Sequence, residues 1–471
     1  MFHGARVSAM FGAVAGVLLT ASAASAQGWL ADRRYSEGPG IRTGDLELHP
    51  GIGGEVGYDS NWFMRTHQSG AINGAPLLPP AGTAVFRVTP SFYVSTLGQQ
   101  RLDPAGFGKA EPRAFAFRAG ISATARAFLG SEMSQQHNVS LASDARFDIN
   151  QGKPIGFAVF GGYSRLIQPQ VLADPNLSFN RSDLRGGGEL VGIPGGGALD
   201  LRAGYLANAS LFEETSGVPY SSITHELSIK NRWRFRPRTA FFTDTTLRFI
   251  SYPNAARALN FLNGSSPVRT RFGMSGLVTE RFSTLLAIGY GASFFDQPEN
   301  PSTAQFDSVI GQAEGTYHLT PGGTGSEEAG QTTPVLSTLT LGFLRDFQPS
   351  LLGTFFSSNK GYGRLEYWFG GRTMVRVEAY GDHVSFPPVY LNSDTGPVQA
   401  TTKFANFRIG GSLFAEYRLS SSFGLNASVD YYQVFSDTKI PAGVSTPGTS
   451  AGFFDLNVRR LQVFTGVRYF F

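Results

Sequence analysis

Along most of this chain apolar and polar residues alternate with a period of two, and the alternation is cleanest at the carboxyl end. Over residues 460–471 one face reads Leu461, Val463, Thr465, Val467, Tyr469 and Phe471. The other reads Arg460, Gln462, Phe464, Gly466, Arg468 and Phe470. Successive side chains of a strand point to opposite sides, so the stretch has one apolar and one mostly polar face. A strand with lipid on one side and water on the other requires this pattern.

The same alternation predicts strands near 45–60, 83–95, 114–129, 137–149, 156–166, 179–191, 198–211, 222–235 and 239–251. It continues near 267–280, 282–295, 305–319, 335–346, 358–369, 372–385, 403–418 and 422–435, before the terminal strand. The fold expected is all-β: an antiparallel transmembrane β-barrel of about eighteen strands over 45–471, closed by the strand that ends at Phe471. Sixteen strands would result if the stretches around 156 and 180 were one loop. Tight turns (236–238, around 281, 370–371, 419–421) alternate with long loops (61–82, 166–178, 252–266, 386–402, 436–454), as in a barrel with short turns at one end. Two connections, 97–112 and 320–334, are long where a short turn is expected.

Residues 1–26 read as a cleaved export signal: Arg6, an apolar run from Val7 to Thr20, and Ala24-Ser25-Ala26 as the cleavage site. Residues 27–44 form a short polar arm. This places the mature chain outside the inner membrane, and the lipid-facing strands place it in the outer membrane of a Gram-negative cell. Only 16% of the residues are charged, 13% are aromatic and 58 are Gly, a balance that suits strands half exposed to lipid. There is no Cys, so disulfides and thiolate metal sites are excluded. A net charge of +4 is too mild to imply nucleic acid.

The chemistry available lies on the inward face. Lys230, Arg232, Arg234, Arg248, Arg269 and Arg271 outnumber Glu226 and Asp244 on three consecutive strands and predict a basic wall lining the pore. Such a wall favours anions over cations. The competing expectation is that these charges pair across neighbouring strands and only satisfy a polar interior. No nucleophile-elbow, HExxH or phosphate-loop motif occurs, and Asp382 and His383, being adjacent on a strand, point to opposite faces. The chain therefore reads as a channel and not an enzyme, with no cofactor and no metal; an outer-membrane barrel enzyme is the remote alternative. A receptor with a plug domain and about twenty-two strands is excluded by length.

The ending Val467, Tyr469, Phe471 resembles the C-terminal signal by which bacterial outer-membrane barrels are recognised by the barrel-assembly machinery. The runs HPGIGGEVGYDSN (His49 to Asn61) and GFLRDFQPSLLGTFF (Gly342 to Phe356) resemble the β-barrel porin 2 group of outer-membrane proteins. Within that group the architecture is similar to the outer-membrane component of polysaccharide export systems. The resemblance implies secretion of a polysaccharide delivered by a separate periplasmic polysaccharide export protein. The alternative is a passive or substrate-selective diffusion porin passing a small anionic solute.

Overall fold

The computed structural model describes residues 40–471, except 67–70, 73–74, 77–79, 97–113, 131–132, 134–135, 151–152, 168–179, 195–196, 214–219, 237, 255–262, 297–303, 320–336, 351–353, 370–371, 394–395 and 442–452. The predicted export signal, most of the polar arm and the two long dissenting connections lie outside the described residues. Eighteen strands form the barrel wall. In chain order they are β1 (Leu46–Asp59), β2 (Thr83–Thr96), β3 (Phe115–Leu129), β4 (Asn138–Ile149), β5 (Ile155–Leu166) and β6 (Arg181–Gly192). There follow β7 (Leu199–Phe212), β8 (Ser222–Arg236), β9 (Thr239–Ser251), β10 (Ser265–Thr279), β11 (Phe282–Phe295) and β12 (Asp307–His318). The last six are β13 (Thr338–Pro349), β14 (Phe355–Phe369), β15 (Thr373–Phe386), β16 (Phe404–Arg418), β17 (Phe423–Phe435) and β18 (Arg459–Phe470).

Every strand pairs antiparallel with its neighbours in sequence, and β18 pairs back with β1. The sheet is a closed barrel, which leaves no strand edge for lipid to meet. The sixteen-strand alternative is overturned: β5 and β6 pair in continuous register from Ile155 opposite Gly192 to Leu166 opposite Arg181. Within the arm, Ile41–Thr43 pairs with Leu46–Leu48 of β1 beyond the point where β18 ends, extending the wall. Among the described connections, the short turns lie at the end of the barrel that carries both termini of the sheet, and the longer loops at the other. We refer to them as the turn end and the loop end.

The alternation seen in the sequence becomes two surfaces. Outward positions such as Ile52, Phe86, Ile155, Ile229, Ile288 and Leu341 are more than 45% exposed, a surface compatible with hydrocarbon and not with water. Aromatic side chains collect on it at the turn end, where Phe115 stacks on Phe147, Trp233 meets Phe235, and Phe235 meets Phe241 with centroids 5.8 Å apart. Of these rings Trp233 is the amphipathic one, the type enriched at a membrane interface.

On the inner face the closing seam carries a charge network. The Glu55 carboxylate on β1 accepts hydrogen bonds from Arg87 Nε on β2 and, at 2.7 Å, from Asn426 Nδ2 on β17. Arg468 Nη2 on β18 stands 3.6 Å from it. Glu416 on β16 takes Arg418 Nε at 2.5 Å and Arg468 Nη1 at 3.6 Å. Toward the loop end, Asp59 holds Arg460 Nε at 3.0 Å and Gln462 Nε2 at 2.8 Å. The three carboxylates are 8%, 3% and 0% exposed, so leaving a partner unpaired there is expensive. Glu55→Ala should therefore lower the unfolding free energy in detergent by about 3 kcal/mol. Glu378→Ala should cost under about 1 kcal/mol, because the Arg364–Glu378 pair is largely exposed. Denaturant titration followed by heat-modifiable migration measures both, and equal losses would contradict a closure held by buried charge.

Candidate solute path along the inner wall

The six predicted basic residues all lie on the inner faces of β8, β9 and β10, but the structure divides them. Strand pairing sets Glu226 opposite Arg248, Lys230 opposite Asp244, and Asp244 opposite Arg271. Arg248 Nε donates to Glu226, with 2.5 Å between the charged atoms, and Arg271 Nη2 donates to Asp244 at 2.9 Å. Arg269 is 7% exposed; its Nε donates to Asp346 on β13 at 3.0 Å, its Nη2 to the Phe347 carbonyl, and its guanidinium lies over the Phe347 ring. These three arginines are neutralised locally, as cross-strand pairing expects. The single uniform wall is thus corrected to a narrower feature.

What remains is a ladder on β8. Lys230, Arg232 and Arg234 are exposed to the lumen, and none forms an ion pair within the described residues. Asp200 lies directly opposite Arg232 but is already held by Arg202 Nε at 2.8 Å. Phe242 and Ala240 face Arg232 and Arg234 from β9. Positions two apart on a strand are separated by about 6.8 Å, so the three cations form a short file along β8.

Elsewhere the wall is dominated by compensated charge. Arg146 is shared between Asp148 and Glu189, Arg202 between Glu189 and Asp200, and Arg376 is tied to Glu366. Toward the loop end the inner face turns apolar, which the alternation did not indicate. Phe356, Val384, Phe386, Val389 and Phe404 form one cluster, and Phe306, Ile310, Phe347 and Phe355 another.

A third cluster shows that the start of the first long connection, residues 60–66, folds inward. Trp62 is 6% exposed and packs on Val85, Phe128 and Phe464, all inner-face residues, with its ring 4.6 Å from that of Phe128. The bend is built locally. Asp59 Oδ1 accepts from the Asn61 amide, the Asn61 side chain caps Arg65 N and O, and Asn61 Nδ2 also donates to the Arg459 carbonyl. The sequence signal for this is the D-S-N run, an Asx-type turn placed where β1 leaves the sheet.

The remaining singled-out residues fall as follows. Val467, Tyr469 and Phe471 share the outward face at the turn end, each more than 40% exposed, with Tyr469 edge-on to Phe471. The Phe471 amide donates to the Pro50 carbonyl at 2.9 Å, tying the terminus to β1. Asp382 faces inward and accepts from Ser358 Oγ at 2.6 Å, whereas His383 faces outward, so the two form no dyad. His49 is buried beside Glu47 at the turn end, and His225 hydrogen bonds the Tyr205 hydroxyl on the exterior at 2.7 Å.

No family model matches the chain, and no curated protein matches it. Among solved structures it is similar to OpdQ of Pseudomonas aeruginosa (TM-score 0.43, 10% identity, 91% of this chain and 98% of that one). It is also similar to OccAB4 of Acinetobacter baumannii (TM-score 0.41, 11% identity, 92% and 100%) and to the siderophore receptor PirA of Pseudomonas aeruginosa (TM-score 0.41, 9% identity, 92% and 81%). At these values the likeness carries no argument about function.

Because the natural chain has no Cys, single-cysteine labelling reads the wall directly. Lys230→Cys and Arg232→Cys should react with a membrane-impermeant charged thiosulfonate in reconstituted vesicles, and Leu227→Cys and Ile229→Cys should not. Equal labelling of the two pairs would contradict the assignment of inner and outer faces.

Proposed function

We propose that the barrel resides in the outer membrane of a Gram-negative cell and acts as a diffusion channel with a modest preference for small anionic solutes. The observation that carries this is the Lys230–Arg232–Arg234 file, open to the lumen on a wall whose other cations are largely paired. Eighteen strands spaced about 4.8 Å and tilted about 40° close on a backbone diameter of roughly 35 Å. Side chains and the inward-folded 60–66 segment narrow this, and water can still occupy the polar part of the wall. A fixed cation there is screened within about 8 Å at physiological salt, so the file attracts anions only in its own sector. The expected selectivity is accordingly weak.

Polymer export through a periplasmic partner, the function that the sequence resemblance implies, draws no support from the cation file on β8. The diffusion reading takes its place. Passage is attributed to the wall's charge and shape, with no covalent step. The outward Val467, Tyr469 and Phe471 fit the proposed role of an assembly signal, since they remain free on the outer surface while the backbone of the terminus is tied to β1.

In planar bilayers at about 0.1 M KCl the channel should pass chloride roughly two- to threefold better than potassium, approaching parity at about 1 M. Replacing Lys230, Arg232 and Arg234 together by Gln should abolish the preference with the barrel still folded. Cation selectivity in the natural protein, or an unchanged preference in the triple variant, would overturn the role given to β8.

A further inference from the structure

We infer that the lumen holds a second binding subsite, on the wall across from β8, and that it takes an uncharged polyhydroxylated solute, a saccharide. The site is a recess of about 290 Å³ between the inner faces of β15–β18 and the tip of the inward-folded 60–66 segment. Its principal groups are Met64, Tyr380, Ser412, Asp430, Tyr432 and Gln462.

Three independent observations converge on it. The first is Met64. It is one of two non-glycine residues with positive φ among the described residues, at 52°, a left-handed conformation that costs a residue with a Cβ about 1 kcal/mol. The bend that imposes it is closed by the Met64 amide donating to the Asn61 carbonyl at 3.1 Å and anchored by Asp59 and Arg460. Strain held in place by over-determined surroundings marks a position whose side chain is being directed, here into the recess.

The second is register. Glu378, Ser412, Asp430 and Gln462 lie opposite one another across four strands, and Tyr380, Gly410, Tyr432 and Arg460 form the next row. Gly410 is required between the two tyrosines: a Cβ there would lie 2.4 Å from the Tyr380 ring, which rests across it. The wall therefore presents aromatic surface beside a row of hydrogen-bonding groups.

The third is that these groups are uncommitted. Within the described residues no hydrogen bond or ion pair engages Asp430, Ser412, or the hydroxyls of Tyr380 and Tyr432. Gln462 spends its amide on Asp59, which leaves its carbonyl. The surrounding charges cancel. Arg460, matched by Asp59, also acts on Asp430, Arg364 is matched by Glu378, and Lys360, with Nζ 4.2 Å from the Tyr380 centroid, lies opposite Asp382. An anion would meet Asp430 and Glu378, and a cation would meet Lys360 and Arg460. A neutral ligand rich in hydroxyls, with an apolar face for Met64 and a tyrosine ring, avoids both repulsions and satisfies the free acceptors and donors.

Maltohexaose is the probe. Isothermal titration into the folded protein in a non-glycosidic detergent should show saturable binding, and Asp430→Asn and Tyr432→Phe should each weaken it roughly tenfold, the loss expected for one hydrogen bond to a charged or buried group. Met64→Gly, which relieves the backbone, should weaken binding while keeping the barrel at least as stable. Arg232→Gln should leave it unchanged. A polyethylene glycol of equal size should not bind. Absence of saturable binding, equal binding of the glycol, or unaltered affinity in Asp430→Asn would overturn the subsite. The titration does not depend on conductance or ion preference, so its outcome and that of the selectivity measurement are independent.

Discussion

Everything in this molecule depends on the pairing of its last strand with its first. Nine residues of β1, from Gly51 to Asp59, face nine of β18, from Phe470 to Gln462. Without that seam the sheet has two edges, each a row of unsatisfied amides and carbonyls that lipid cannot satisfy. The inner side of the seam is where the structure concentrates its buried carboxylates. Glu55 and Asp59 reach β2, β17 and β18, so closure fixes the relative register of strands that lie hundreds of residues apart. The bend that carries Trp62 and Met64 into the lumen starts from the same Asp59. The constriction is thus a by-product of closure.

The interior follows a simple electrostatic economy. In a narrow aqueous space beside a low-dielectric wall, an arginine that can reach a carboxylate on the next strand does so, and most of them do. A cation stays available where the carboxylate opposite is already taken, as Asp244 is by Arg271 and Asp200 by Arg202, or where the neighbour is uncharged, as Phe242 and Ala240 are beside Arg232 and Arg234. Function in such a wall is read from the unpaired residues and not from the total of charges. The same reasoning draws attention to Asp430, Ser412 and Tyr432, uncommitted groups on a wall of committed ones.

The strand count, the strand faces and the alternation of turns and loops were legible in the sequence because period-two alternation is written locally, residue by residue. The inner and outer sets of β16 and β18 were readable in full for that reason. What was not legible depends on contacts between distant strands. The partner of Arg269 is Asp346 on β13, three strands away, and no spacing in the sequence links them. Counting charges on β8–β10 alone therefore overstated the wall. The inward fold of Trp62 and Met64 was missed because a loop rich in Gly and Pro has no period to read, and a positive φ at a methionine has no sequence signal.

Closure of the barrel between β1 and β18 in one register bounds the lumen. It is tested most directly by replacing Gly53 and Arg468, inner-face partners across that seam, with cysteine together. A Cβ at Gly53 meets nothing closer than the Arg468 side chain it would replace, so the pair has room to bond. Mild oxidation of the folded protein should form an intramolecular disulfide, seen as loss of maleimide-reactive thiol and faster migration of the unfolded chain. Free thiols in the folded protein, with oxidation instead linking Gly51→Cys to Arg468→Cys, would contradict the account.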